Sequence, residues 1–182
     1  MPYEVEMKFP AADLAGLESR LAGLGATIAA AQSEVEVYFA HPARDFAKSD
    51  EALRIRRKGS ANFITYKGPK IDAATKTRRE IELPLSPGGQ AAQAWTDLIE
   101  ALGFTPVGEV RKSRRKARVE WQGRSVEVSL DEVDRLGSYV ELELIAEADN
   151  LDAARSHILS LAEALGLKNS ERRSYLELLL EG

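Results

Sequence analysis

Carboxylates and basic side chains recur at every second position along this chain. Glu4, Glu6 and Lys8 form one run, Arg54 and Arg56 a second, and Arg78, Glu80 and Glu82 a third. Lys112 and Arg114, then Glu141 and Glu143, repeat the spacing, and Lys67 and Asp131 sit in similar alternation. Period two is the repeat of a β-strand, so within each run the charged groups share one face. Carboxylates fixed at that spacing are hard oxygen donors, suited to Mg²⁺, Mn²⁺ or Ca²⁺. Fixed arginines and lysines match phosphate oxygens. Together they fit a metal–polyphosphate, with the cation between acids and phosphates and the bases on the remaining oxygens.

The elements that carry these groups follow from the apolar residues between them. Alternation predicts strands over 3–9, 34–39, 53–58, 62–67, 77–84, 110–121, 125–131 and 138–145. Helical spacing links Leu14, Leu17, Leu21 and Leu24, and again Leu151, Ala154, Ile158, Leu161 and Leu165. A helix carrying Trp95, Leu98, Ile99 and Leu102 is expected to start at Ser86-Pro87, and a last one to run from an N-cap at Ser170 to Leu180. Polar loops are expected over 41–50, 68–74 and 86–90. At least seven of the eight strands have one charged and one apolar face. Two architectures satisfy this pattern. One is an open sheet with helices on the apolar side and solvent on the other. The other is a closed barrel with its charges inside and helices outside. Burying an unpaired charge costs several kcal/mol per ion, so a charged interior must be wet, mutually paired or filled by charged ligands.

Composition narrows the rest. The 182 residues are 44% apolar, enough for a core, and no Pro/Gly/Ser-rich linker divides them, so one domain over 1–182 is expected. With no cysteine there is no disulfide framework, thiolate metal site or cysteine nucleophile. His41 and His157 are the only histidines, which excludes a three-histidine zinc site. A net charge of −4 gives no pull toward nucleic acid. No apolar run approaches membrane-spanning length, and the first residues have no signal-peptide pattern, so a soluble cytoplasmic protein without a membrane partner is expected.

At this point the runs resemble a known family. Glu4-Val5-Glu6-Met7-Lys8 is similar to the ExExK signature of the CYTH proteins, or triphosphate tunnel metalloenzymes. Leu53-Arg54-Ile55-Arg56 resembles the family's RxR strand, Thr65-Tyr66-Lys67-Gly68-Pro69 its lysine strand and Arg78-Arg79-Glu80-Ile81-Glu82 its RxExE run. Lys112-Ser113-Arg114 resembles KxR, and Asp131 with Tyr139-Val140-Glu141-Leu142-Glu143 the acidic closing segment. The matches run in order along nearly the whole chain, ending at Ser174-Tyr175.

The resemblance implies an α+β fold: a closed eight-stranded antiparallel barrel with amphipathic helices outside and a tunnel that takes a triphosphate and Mg²⁺ or Mn²⁺. It implies metal binding by Glu4, Glu6, Glu141 and Glu143, assisted by Glu82 and Asp131. It implies phosphate binding by Lys8, Arg54, Arg56, Lys67, Arg78, Lys112 and Arg114. Glu4, Glu6, Lys8, Arg56 and Glu143 are the implied catalytic set. Period two selects Arg78 over Arg79. Glu34, Glu36 and Glu127 share the charged faces and read as structural, while His41 and His157 read as surface residues. The substrate is ATP for a class IV adenylyl cyclase, and inorganic, thiamine or nucleoside triphosphate for a triphosphatase; a binding module without turnover is the third reading. The segment from Tyr38 to Arg54 looks more like class IV cyclases than vertebrate thiamine triphosphatases, which favours the cyclase. Any homodimer would form through helices or loops.

Overall fold

The computed structural model describes residues 3–72 and 75–182. Eight strands alternate with short helices: β1 (Tyr3–Pro10), α1 (Leu14–Gly23), β2 (Gln32–Ala40), α2 (Phe46–Ser49), β3 (Ala52–Lys58), β4 (Ala61–Lys67), β5 (Glu80–Leu85), α3 (Gly89–Ala101), β6 (Thr105–Trp121), β7 (Arg124–Val133), β8 (Gly137–Ala146), α4 (Leu151–Ala164) and α5 (Tyr175–Glu181). All strands pair antiparallel in one sheet, ordered β1-β8-β7-β6-β2-β3-β4-β5.

The expected barrel is reached in part. The sheet is strongly curled, and no ladder joins its ends, β1 and β5. Residues 76–78, just before β5, lie along β1 instead. The Glu4 amide donates to the Arg78 carbonyl at 3.1 Å, the Arg78 amide to the Glu4 carbonyl at 3.2 Å, and the Lys76 amide to the Glu6 carbonyl at 2.9 Å. The strand expected over 77–84 therefore divides: 76–78 bridge to β1, and β5 itself follows β4. β5 is short and holds Pro84, which has no N–H for a second ladder.

The outer face of the sheet is apolar, as the alternation requires. Val5, Val119, Val128 and Leu142 point outward and are fully buried beneath Leu17 and Leu21 of α1 and Ile158 and Leu161 of α4. α3 covers another part of the sheet, packing Ile99 against Phe39 and Ile55. This outer layer holds the inner, charged face in its curve.

Helix ends depart from the sequence expectation for local reasons. α3 begins at Gly89 rather than Ser86-Pro87, because Gly88 turns with φ 94° and its amide bonds back to Ser60. The last helix starts after Ser174, not Ser170. Ser174 and Glu177 form a reciprocal capping box, whereas Ser170 has Arg173 three residues on and cannot complete one. The segment so released covers the open edge of β1, where the Glu171 amide donates to the Lys8 carbonyl at 2.7 Å. α2 is one turn, capped by Asp45, and too short for periodicity to reveal. In the loop read at 68–74, positions 73 and 74 lie outside the described residues.

Leu142 backs the strand that presents Glu141 and Glu143, with no exposed surface. Leu142→Ala is expected to cost about 2–5 kcal/mol of stability, read as a lower denaturation midpoint at unchanged m-value.

Candidate active site

Within the curl lies a cavity of about 820 Å³. Eleven of the residues singled out from the sequence line it: Glu4, Glu6, Arg54, Arg56, Lys67, Arg78, Glu82, Lys112, Arg114, Glu141 and Glu143. They come from β1, β3, β4, β5, β6 and β8 and the segment before β5, so only the curl of the sheet brings them together. Arg78 is buried while Arg79 is exposed, as period two requires.

Lys8 and Asp131 stand behind the cavity wall. The Lys8 ammonium donates to the Arg173 carbonyl at 2.5 Å and lies 4.0 Å above the Tyr175 ring. Burial, then the neighbouring Lys76, pulls its pKa down to about 7. Asp131 is wholly buried and grips Arg114 through two bonds, at 2.6 and 2.5 Å, while accepting from the Tyr175 hydroxyl at 2.8 Å. In this arrangement both residues position others: Asp131 aims Arg114 and Lys8 anchors the start of α5.

The basic side chains rest on a layer of buried acids. Glu36 has no exposed surface and pairs with Arg54 at 3.0 Å and Lys112 at 3.2 Å, and it accepts from the Tyr38 hydroxyl at 2.8 Å. Burial opposes its ionisation, but Arg54 and Lys112 hold its pKa well below the usual carboxylate range. Glu34 lies 3.6 Å from Lys112 and 3.9 Å from Arg56. Arg56 reaches Glu82 at the cavity rim, and Lys67 bridges Glu80 and Glu4. Against burial, Lys67 and Arg54 bring Glu80 down to about 2.

Arg78 differs from the other cavity arginines. It is 6% exposed, its Nε has no hydrogen-bond partner, as in Arg54 and Arg56, but unlike them it forms no ion pair among the described residues. A buried guanidinium facing a cavity without a counter-ion is suited to an anionic ligand.

The acidic side has the opposite imbalance. Glu6, Glu143 and Glu127 lie directly opposite one another across β1, β8 and β7. Like charges so placed repel. Burial, then Glu6 and Glu127, raises Glu143 to about 7. Burial also lifts Glu4 well above the usual range, with Glu143 and Glu80 adding to the effect against Lys67. Crowded oxygen donors with too little positive charge fit a hard divalent cation. Among the described residues, no three carboxylates converge on one point as they stand. Basic groups lie between them: Lys67 at Glu4, Lys76 at Glu6 and Arg114 at Glu141.

Lys76 was absent from the sequence-derived set. The signal was present, since extending the alternation Glu82, Glu80, Arg78 one step backward reaches Lys76. Lys116 and Glu127 pair at the same wall, and His41, read as a surface residue, lies at the cavity edge with Phe46, their rings 5.3 Å apart.

A sequence model of the CYTH domain matches residues 2–175. A Methanocaldococcus jannaschii protein named "Putative adenylate cyclase MJ0240" is 36% identical over 178 residues, spanning 96% of this chain and 97% of its own. The structure of the PH1819 protein from Pyrococcus horikoshii OT3 superposes with a TM-score of 0.86 at 40% identity, over 98% of both chains. HpAC1 from Hippeastrum, described as a "Putative adenylyl cyclase" that reveals a dominant triphosphatase activity, superposes at 0.65 with 17% identity over 100% of this chain and 96% of its own, a likeness of fold.

Two substitutions should move stability in opposite directions. Glu36→Ala strands Arg54 and Lys112 and is expected to cost about 3–5 kcal/mol. Glu143 has its folded-state pKa raised from 4.5 to about 7, so its ionisation costs stability as pH rises through that window. Glu143→Gln should raise Tm by roughly 5–10 °C above pH 7 without added metal or nucleotide. The gain should vanish in acid below the ordinary carboxylate pKa, and thermal melts across pH read both.

Proposed function

From the premise that this chain belongs to the CYTH domain family, we propose that it is a divalent-metal-dependent enzyme acting on a triphosphate held in the cavity of its curled sheet. The observation that carries this reading is the convergence of Arg54, Arg56, Lys67, Arg78, Lys112 and Arg114 on one cavity, with Arg78 lacking a counter-ion. The bases take phosphate oxygens. Glu4, Glu6, Glu141 and Glu143 are the donors for Mg²⁺ or Mn²⁺, and Glu82 serves the rim. The cation, when bound, supplies charge neutralisation to the phosphates. On this reading the sheet closes functionally into a tunnel through the bridge between β1 and residues 76–78.

The reaction we assign is that of a class IV adenylyl cyclase. The ribose 3′-oxygen forms a bond to the α-phosphorus as the bridging bond to the β-phosphate breaks. Pyrophosphate leaves, and the hydroxyl proton passes to the acidic row. The protein contributes mostly positioning and charge, since in-line phosphoryl chemistry asks for little else. The similarity to the Methanocaldococcus protein named "Putative adenylate cyclase MJ0240" supports this assignment. Hydrolysis by the same residues is the alternative. It needs only water in place of the ribose hydroxyl, and the Hippeastrum protein with its triphosphatase activity shares the fold.

The test is incubation with Mg²⁺ or Mn²⁺ and ATP, tripolyphosphate or thiamine triphosphate, with cyclic AMP and phosphate measured separately. Cyclic AMP and pyrophosphate from ATP are expected. Orthophosphate without cyclic AMP moves the assignment to triphosphatase, and no turnover of any substrate leaves a binding module. Arg78→Ala is expected to lower kcat/KM by about 100-fold or more while the melting profile is retained.

A further inference from the structure

Lys76 is the one buried base of the cavity that neither the sequence motifs nor the function above assigns. It sits in the segment that links the two ends of the sheet, and its amide donates to the Glu6 carbonyl at 2.9 Å. Its side chain turns back onto the same residue, pairing with the Glu6 carboxylate, and lies 4.0 Å from the carboxylate of Glu141. It is 4% exposed. Glu6 and Glu141 come from adjacent strands, diagonal to one another across β1 and β8. An ammonium group thus stands between two carboxylates, of which Glu141 also carries Arg114 at 2.5 Å on its other side.

We propose that Lys76 is a built-in counter-ion, holding the space between Glu6 and Glu141 until a divalent cation takes it and then turning its ammonium to the triphosphate. This rests on the metal reading above and adds to it a residue and an exchange. Two cations cannot share that space, because each repels the other in a site of low dielectric. Without either, Glu6 loses its close counter-ion beside Glu141, which keeps only Arg114. A lysine suits this role, since it carries a compact charge on a flexible four-carbon stem while its backbone stays fixed to β1. The exchange also accounts for the absence, among the described residues, of three convergent carboxylates.

A residue with this role has an effect of opposite sign on the two ligands. Without the ammonium, Mn²⁺ meets one competitor fewer, Arg114 remaining at Glu141, and binds more tightly, whereas the triphosphate loses one cationic partner and binds more weakly. A lysine that only supported the fold would weaken both. Mn²⁺ alone, and tripolyphosphate alone, are titrated calorimetrically into the wild-type protein and the variants Lys76→Gln, Lys76→Met and Lys76→Arg. Lys116→Gln serves as the charge control, since Lys116 pairs with Glu127 at the same wall. Thermal melts confirm that each variant is folded.

The expected result is Mn²⁺ binding about tenfold tighter or more in Lys76→Gln and Lys76→Met, the scale on which one neighbouring charge alters proton affinity. Tripolyphosphate should bind several-fold more weakly, and Lys76→Arg should stay near wild type for Mn²⁺. If the wild type binds Mn²⁺ and neither neutral variant binds it more tightly, the exchange is refuted while the metal reading stands. An equal gain in Lys116→Gln also refutes it, because the effect is then one of net charge. If neither the wild type nor any variant binds Mn²⁺, with or without tripolyphosphate, the metal reading fails and the exchange with it.

Discussion

The governing constraint in this molecule is that a charge removed from water must be compensated. Eight strands point ionisable groups inward, and the apolar outer face beneath α1, α3 and α4 leaves them no other direction. Leaving one buried ion without a partner costs several kcal/mol, on the order of the net stability of a domain. The side chains must therefore form a mutually satisfied lattice or wait for ligands of their own kind. Both occur here, in different places. Glu34 and Glu36 satisfy the bases from behind, whereas Arg78 and Glu143 form no ion pair among the described residues, Glu143 facing Glu6 and Glu127 across the sheet.

That division separates scaffold from chemistry more sharply than charge alone. Glu36 and Glu143 are both buried glutamates, yet the surrounding arginines and lysines hold one well below the ordinary range, while burial and facing carboxylates lift the other to about 7. The first belongs to a closed set of ion pairs. The second accepts a cation or a proton readily, because either one relieves repulsion. Asp131 shows a third arrangement, in which a buried acid fixes the orientation of a base that lines the cavity.

Much of this was legible in the sequence because the strand period is the simplest geometric code a chain has. Alternation put Glu4, Glu6, Arg54, Arg56, Arg78, Glu141 and Glu143 on one face, and the structure brings them to one cavity. It also chose correctly between the adjacent arginines at 78 and 79. It failed where the period gives way to something else. Lys76 lies outside a regular strand, and α2 spans a single turn. Lys8 and Asp131 face inward as expected, but Tyr175 stacks over Lys8 and bonds to Asp131. No local pattern announces that contact, since it joins residues far apart in the chain. The start of α5 was misplaced for a related reason: both Ser170 and Ser174 are good caps, and only Ser174 has a glutamate three residues on that completes the box.

The clasp between β1 and the end of the chain has a consequence for how the protein comes into being. Lys8 and the Arg173 carbonyl it holds are 165 residues apart. β1 is made first, yet its ladder partner β8 is among the last strands to emerge. Until then Glu4 and Glu6 have only Lys67, Lys76 and the bridge to residues 76–78, and the contact that holds Lys8 carries a far higher loop-closure cost than those pairs. The charged run of β1 is thus housed only after β8 has formed, so the cavity is complete only once strands far apart in the sequence have paired.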